Sequence, residues 1–365
     1  MSNDRLTEFC RAFSGGSWYY SLSVEIRELH QSELWEAFLS SSHWSPFLQS
    51  FAMGEVYRSI GEEPVRLSVI DDGGNLVAIC QAIVVSARRG RHLAVMYGPV
   101  VKEINDERQA MNILIDALKK NASQKKCVCI RMSPFWQKND PKVSILRSLG
   151  FRSSPLHLLA EHIWYIDLRG KTEEQLLMGM RKTTRNLVRR AEREGVIVRA
   201  SDNPMRDLPI FFALYEETRR RHHFVPYPDS FIRAQVEKFS SIDQCRLYIA
   251  ECRGEPVASS VHMVYGGETS YHHGASSSNH SNSYASYLLQ WTAIRDALKR
   301  GDRVYNFWGV SPEGATKHPF AGVRTFKTGF GGELLELAHC MDLPLSFRYL
   351  KLFAIELARK WKRGF

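Results

Sequence analysis

Leu67-Ser-Val-Ile-Asp-Asp-Gly-Gly-Asn-Leu-Val-Ala78 and Leu247-Tyr-Ile-Ala-Glu-Cys-Arg-Gly-Glu-Pro-Val-Ala258 carry one pattern twice, 180 positions apart. Each reads as a strand, a tight turn at Gly and a second strand. Asp116-Ala-Leu-Lys119 recurs at the same offset as Asp296-Ala-Leu-Lys299. Both close a helical pattern, and both are followed by an apolar run, Cys127 to Met132 and Arg303 to Val310. Leu149-Gly-Phe151 has a near-counterpart in Thr328-Gly-Phe330. A single match of this kind is weak; several in order at one spacing indicate an internal repeat. Each half then runs through helices, a β-hairpin, further strands, a helix, a strand and a closing Gly-Phe turn. Pattern alone gives α+β or α/β, built twice. The break at Ser153-Ser154-Pro155, before the apolar Ile163 to Leu168, sets the boundary near residues 152–166. The expected division is 1–160, 161–335 and a basic amphipathic segment 336–365.

The chain has 365 residues, 44% apolar and 24% charged, enough to bury two ordinary cores. Met1 to Thr7 is polar with no apolar region behind it, so no signal peptide is expected, and no run suits a membrane span. Seven scattered cysteines form no CxxC pair, Cys127 and Cys129 being two apart. Reduced thiols, no metal and a cytoplasmic setting are expected. His222-His223 and His272-His273 lack the i, i+4 spacing of a helical metal site. Gly73-Gly74 and Gly331-Gly332 read as turns rather than nucleotide fingerprints. The net charge of +10 suits either a polyanionic partner or a merely soluble basic protein.

That charge is concentrated. Residues 173–195 read as one helix, with Thr172 and Gln175 as a capping box and Gly195 as its stop. Arg181, Arg185 and Arg189 fall four apart on one stripe opposite Leu176, Met180, Leu187 and Ala191. A guanidinium matches phosphate oxygens, so the stripe suits nucleic-acid phosphates better than a merely solvated face. Leu345 to Phe365 carries Arg348, Lys351, Arg359, Lys360, Lys362 and Arg363 against Glu356 alone. A helix there could lie on an anionic membrane, grip RNA or pack on the second half.

Several stretches resemble the FemABX family. They are Trp308-Gly309 with His318-Pro319 through Phe326-Lys327-Thr-Gly-Phe330-Gly-Gly332, the Lys/Arg-x-x-x-Arg helix, Leu48-Gln49-Ser50, Tyr97-Gly98-Pro99-Val100, Glu217-Thr218-x-x-Arg221-x-x-Phe224, and Tyr271-x-x-Gly274. The resemblance implies an α+β fold of two GNAT-like acyltransferase domains in tandem. No sustained heptads suggest the family's coiled-coil insertion. It implies aminoacyl-tRNA as donor and a peptidoglycan precursor, UDP-linked or lipid-linked, as acceptor. Peripheral contact with the inner face of the cytoplasmic membrane and the absence of a cofactor follow from the same likeness.

By that likeness Lys327, with Phe326 beside it, is catalytic, and Arg221, Tyr271, Trp308 and Gly309 bind substrate. Arg181, Arg185 and Arg189 bind tRNA. Arg219 and Arg220 are rivals for the position of Arg221. The chemistry is amine attack on an ester, whose carbonyl oxygen gains negative charge and needs a donor; a lysine beside a Gly-rich turn can supply it. Ser133-Pro134 stands where the family often has Asp-Pro, and a serine cannot take the amine's proton at neutral pH. Two other readings stay open: an N-acyltransferase on another amine, and a non-catalytic binder of RNA or precursor. Ser276 to Tyr284 lacks the glycines of a CoA-pyrophosphate loop.

Overall fold

The first hairpin forms where the repeat places it. Strands β1 (Glu25–Glu28), β2 (Val65–Ile70) and β3 (Leu76–Ala87) are antiparallel neighbours. Asp71 turns the β2–β3 corner by accepting the Asn75 N–H at 2.8 Å, with Gly74 at φ +81°. The computed structural model describes residues 25–42, 44, 46–87, 89–102, 107–222, 227–278, 283–316 and 318–363. Sheet 1 continues through β4 (Gly90–Met96), β5 (Val100–Val101), β6 (Cys129–Ser133) and β7 (Arg152–Ser153). Sheet 2 contains β8 (His162–Asp167), β9 (Val196–Ala200), β10 (Cys245–Cys252), β11 (Glu255–Tyr265), β12 (Glu268–Ser276), β13 (Val304–Gly309) and β14 (Glu333–Glu336); β15 is Met341–Pro344.

Sheet 1 has the order β1-β2-β3-β4-β6-β15-β7, with β5 on β3. Sheet 2, read from its other edge, has β9-β10-β11-β12-β13-β8-β14. The two orders match strand for strand. In each sheet the described strands pair antiparallel except at one central place, β4–β6 and β12–β13. A parallel pair requires a crossover, supplied by helix α3 (Glu107–Gln124) and later by α9 (Ala285–Arg300). The sixth strand is exchanged between the halves. β8 follows β7 in the chain yet lies in sheet 2, and β15 follows β14 yet lies in sheet 1 between β6 and β7.

The remaining helices are α1 (Ser32–Ser40), α2 (Phe51–Ser59), α4 (Pro141–Ser148), α5 (Glu173–Gly179), α6 (Lys182–Arg193), α7 (Pro204–His222), α8 (Asp229–Ser240), α10 (Ala321–Thr328) and α11 (Tyr349–Arg363). One apolar cluster draws Trp35, Phe47 and Tyr97 from the first half and Phe211, Phe239 and Met263 from the second, so the halves share a core. Glu36 of α1 crosses the same boundary, accepting Tyr265 Oη at 2.5 Å. Gln49 is architectural: its amide accepts from Gln81 N at 2.8 Å and donates to Met96 O at 2.8 Å. Ser50 caps α2 by accepting from Met53 N.

One expectation and one of the open readings are corrected. The basic stretch 173–195 is two helices, because Met180 is extended (ψ 154°) and Arg181 N turns to the Gly329 carbonyl at 2.9 Å. The capping box at Thr172–Gln175 is present. The break rephases the buried face of α6 to Thr184, Val188 and Ala191, leaving Leu187 half-buried. The terminal segment packs on the first half, not the second. Arg131 of β6 pairs with Asp342 of β15 at 2.7 Å and with Glu356 of α11 at 2.6 Å, all three buried. Arg89 reaches Glu356 at 2.7 Å, and Leu352 and Tyr349 cover Cys129.

Candidate active site

β12 and β13 pair only from Glu268–Val304 to Ser270–Asn306 and then part. The divergence is built into β13. Trp308 takes φ +65°, a conformation sparsely populated by bulky residues, and the register against β8 slips between Asn306 and Gly309. Gly309 has no room for a side chain, since a Cβ there would lie 2.7 Å from Ala160 Cβ. Into the opening comes Lys327, from the last turn of α10. Its ammonium donates to the Gly309 carbonyl at 2.8 Å and sits 5.5 Å above the Tyr271 ring centre. Lys327 is 8% exposed, and burial pushes it down to about 7 from the usual lysine value. A desolvated lysine with unspent N–H groups is suited to meet charge that develops in a reaction.

The surrounding run is accounted for residue by residue. Phe330 is buried against Phe307, and Phe326 meets Tyr287 edge-on at 4.9 Å and Phe330 at 5.3 Å, so Phe326 props α10. Gly332 (φ +99°) is obligatory: a Cβ would fall 2.2 Å from the Tyr165 carbonyl. Tyr271 lies across Gly274, where a Cβ would meet its hydroxyl, and stacks on His262 at 5.4 Å. Lys327, Tyr271 and Gly309 are therefore brought together.

Trp308 stands at the boundary of the halves, within ring contact of Phe47, Tyr97 and His272. Its N–H donates to Asn306 Oδ1 at 2.7 Å, and Asn306 Nδ2 donates to Glu268 Oε1 at 2.9 Å. Glu268 is buried and also accepts from Ser270 Oγ and Trp44 Nε1; burial raises its carboxyl. A hydrogen-bonded chain thus runs from Trp44 through Glu268 and Asn306 to the turn that presents the Gly309 carbonyl. Sequence reasoning missed these three residues. The available signal was an Asn two positions before the Trp-Gly pair. Beyond Tyr97 opens a cleft of about 930 Å³, lined by Trp44, Tyr97, Lys102, Phe135 and Asp140 of the first half and Leu335 of the second.

Arg221 lies elsewhere. It ends α7 and donates to the carbonyl and hydroxyl of Ser276, at 3.2 and 2.9 Å, at the far end of β12. That is five residues from Tyr271, roughly 17 Å along a strand. Phe224 and His223 lie outside the described residues. Arg181 donates to Thr328 Oγ1, beside Lys327 in sequence, so the start of α6 abuts the end of α10. Arg185 spends one nitrogen on the carbonyls of Met178 and Met180, at 2.8 and 2.7 Å, capping the broken end of α5. Arg189 is exposed. Ser133 is buried at the end of β6, its carbonyl accepting Tyr97 N at 2.7 Å. His272 and His273 both contact Gln235, and among the described residues no group of three His, Cys, Asp or Glu is placed to hold a metal.

Comparison with known proteins agrees with this architecture. The FemAB family profile matches residues 30–148, and the acetyltransferase (GNAT) domain profile matches residues 178–320. Aminoacyltransferase FemA of Staphylococcus aureus is 20% identical, over 85% of this chain and 93% of that protein. The crystal structure of FemX superposes with a TM-score of 0.78 at 18% identity, covering 91% of this chain and all of the other. A tandem GNAT protein from the clavulanic acid biosynthesis pathway gives a TM-score of 0.58 at 13% identity, covering 89% and 99%.

Proposed function

We propose that the chain is an aminoacyltransferase of the FemABX type, a reading supported by the FemAB profile over residues 30–148 and the likeness to FemA along most of both chains, and that it moves an amino acid from aminoacyl-tRNA to a stem-peptide amine of a peptidoglycan precursor. The observation that carries this reading is Lys327, buried between the parted strands with its nitrogen on the Gly309 carbonyl. The acceptor amine attacks the ester carbonyl carbon, a C–N bond forms, and the bond to the ribose oxygen breaks. The amine's proton leaves with the ribose hydroxyl. Lys327, as the ammonium, donates to the carbonyl oxygen as it gains charge. Its remaining bond to Gly309 keeps it aimed. Tyr271 floors the site, and Trp308 closes it toward the cleft of the first half.

That cleft is the place for the acceptor, and Arg181, next to α10, with Arg189 further along α6, is the place for tRNA phosphates. Arg185 supports them as a brace. Arg221 meets an anionic group of a long substrate at a distance from the reacting atoms. The same reading places the protein in peripheral contact with the inner face of the membrane when the acceptor is lipid-linked. No described helix is long and apolar enough to cross a membrane. The test is to incubate the protein with labelled aminoacyl-tRNAs and with UDP-linked and lipid-linked precursors, and to detect the new amide by mass. Formation with one charged tRNA confirms the reaction. Retained tRNA binding with no amide from any pair overturns it in favour of a binding protein.

A further inference from the structure

Helix α11 is held down on one side only. Leu352 and Glu356 are fully buried and Tyr349 is 2% exposed, with Glu356 gripped by Arg131 and Arg89. On the other side Leu350, Ala354, Leu357 and Trp361 follow the i, i+4, i+7, i+11 spacing that puts side chains on one face. Leu350 is 67% and Trp361 80% exposed, and Phe347, in the turn leading into the helix, is 82% exposed. Lys351, Arg359, Lys360 and Lys362 of the helix and Arg348 before it are also exposed. The sole acid of the described helix is the buried Glu356, so the outward surface is apolar and cationic throughout.

We propose that this surface docks on an anionic lipid bilayer, with Phe347, Leu350 and Trp361 entering the headgroup–acyl boundary and the basic residues meeting lipid phosphates. Large side chains along one line, with cations beside them, suit an interface that is apolar beneath and negative above. An RNA backbone would use the cations but leave the leucine unburied, and a second copy of this cationic face would repel the first. The helix is too short and too charged to span, and its anchoring to β6 and β15 makes the attachment rigid. The proposal rests on the reading above only for what docking serves, delivery of a lipid-linked acceptor.

The experiment floats the full chain with vesicles of phosphatidylglycerol or of phosphatidylcholine, for the wild type and a Phe347→Ser/Leu350→Ser/Trp361→Ser variant. Wild type is expected to float with the anionic vesicles and little with the zwitterionic ones, less so as salt rises. The variant should bind on the order of tenfold more weakly. It should keep the wild-type melting temperature, since the substituted side chains are exposed, and transfer normally to a soluble UDP-linked precursor. That last activity separates loss of docking from failure of the transferase reading. Wild type that fails to float, or a variant that floats equally well, overturns the proposal. So does a variant that keeps vesicle binding while losing tRNA binding, or one that dissociates from dimer to monomer in light scattering.

Discussion

In the first half, β4 and β6 pair over five positions, from His92–Cys129 to Met96–Ser133, and the Tyr97 N–H extends the ladder to the Ser133 carbonyl. In the second half, β12 and β13 pair over three and part. The strand orders are the same, and the crossover helices occupy matching places. Opening a parallel pair leaves backbone groups without partners, which a buried sheet tolerates only if something else bonds them. Lys327 does so for the Gly309 carbonyl, and Asn306 does so for the Trp308 N–H. The first half keeps its ladder and so has no opening for a side chain between its strands; its contribution is the wall of the cleft. On the proposed function, one repeat carries the chemistry and the other shapes the approach.

Removing the lysine should break this contrast most severely. Lys327→Ala is expected to lower turnover on the order of 100-fold or more with precursor affinity close to wild type, and to cost about 1–3 kcal/mol of stability because the Gly309 carbonyl loses its donor. A matching loss of affinity would make Lys327 a binding residue instead. The ammonium is present below about 7 and is lost above it, so turnover should fall as pH rises through that value. Lys327→Arg should lose that alkaline fall while remaining slow, because its donors lie in a fixed plane.

The proposed phosphate site belongs to the second half too. Arg181→Ala with Arg189→Ala should weaken tRNA binding on the order of tenfold and flatten its salt dependence by about one unit of slope per lost contact. Affinity indifferent to salt would remove these residues from the tRNA surface.

Unhooking the turn tests whether the opening is built by the buried chain. Asn306→Ala leaves Glu268 short of a donor, which should cost about 1–3 kcal/mol of stability. Turnover should fall roughly tenfold with KM little changed, as for a lysine misplaced by a fraction of an ångström. A stability loss with normal turnover would separate the chain from the chemistry.

Where the halves exchange strands, His339 Nδ1 faces Glu161 and Nε2 faces the Ser154 carbonyl, both at 2.9 Å. Two acceptors favour the doubly protonated ring, and the bond to Glu161 raises its pKa above 6.5; His157 and Lys360 lie nearby. Its contribution to stability is present below the unfolded value of 6.5 and is lost as pH rises through the higher folded value. Because the ring is partly exposed, the loss should stay under about 1 kcal/mol, and denaturant titration of His339→Gln across that window should show it gone. The smallest effect is expected in the closed half. Ser133→Ala should change turnover by less than about twofold, since a larger change implies a role in the barrier; a greater loss would put a working group in the first sheet.

Much of the fold was legible because the hairpins at Leu67–Ala78 and Leu247–Ala258 are local, and local turn chemistry shows in sequence. The strand exchange was not, because β8 and β15 choose partners by long-range pairing that leaves no periodic signature. The break at Met180 was hidden for another reason: the helical period runs through it, Arg185 fits that period as a stripe residue, and the Gly329 carbonyl that takes the Arg181 N–H lies far along the chain. Lys327 could be singled out by the run around it. Its burial could not, since that depends on Gly309 and Tyr271, distant in the chain. The three missed residues, Trp44, Glu268 and Asn306, meet only in the folded molecule.

The exchanged strands also set an order of events during synthesis. β6 leaves the ribosome early but needs β15, made near residue 341, to cover its outer flank, and among the described strands β7 pairs only with β15. Until then the nascent first half carries an open strand edge, the kind of template on which chains aggregate. β8 has the opposite difficulty, emerging before either strand it lies between. Neither half can finish alone, and the last of the described strands closes the first sheet.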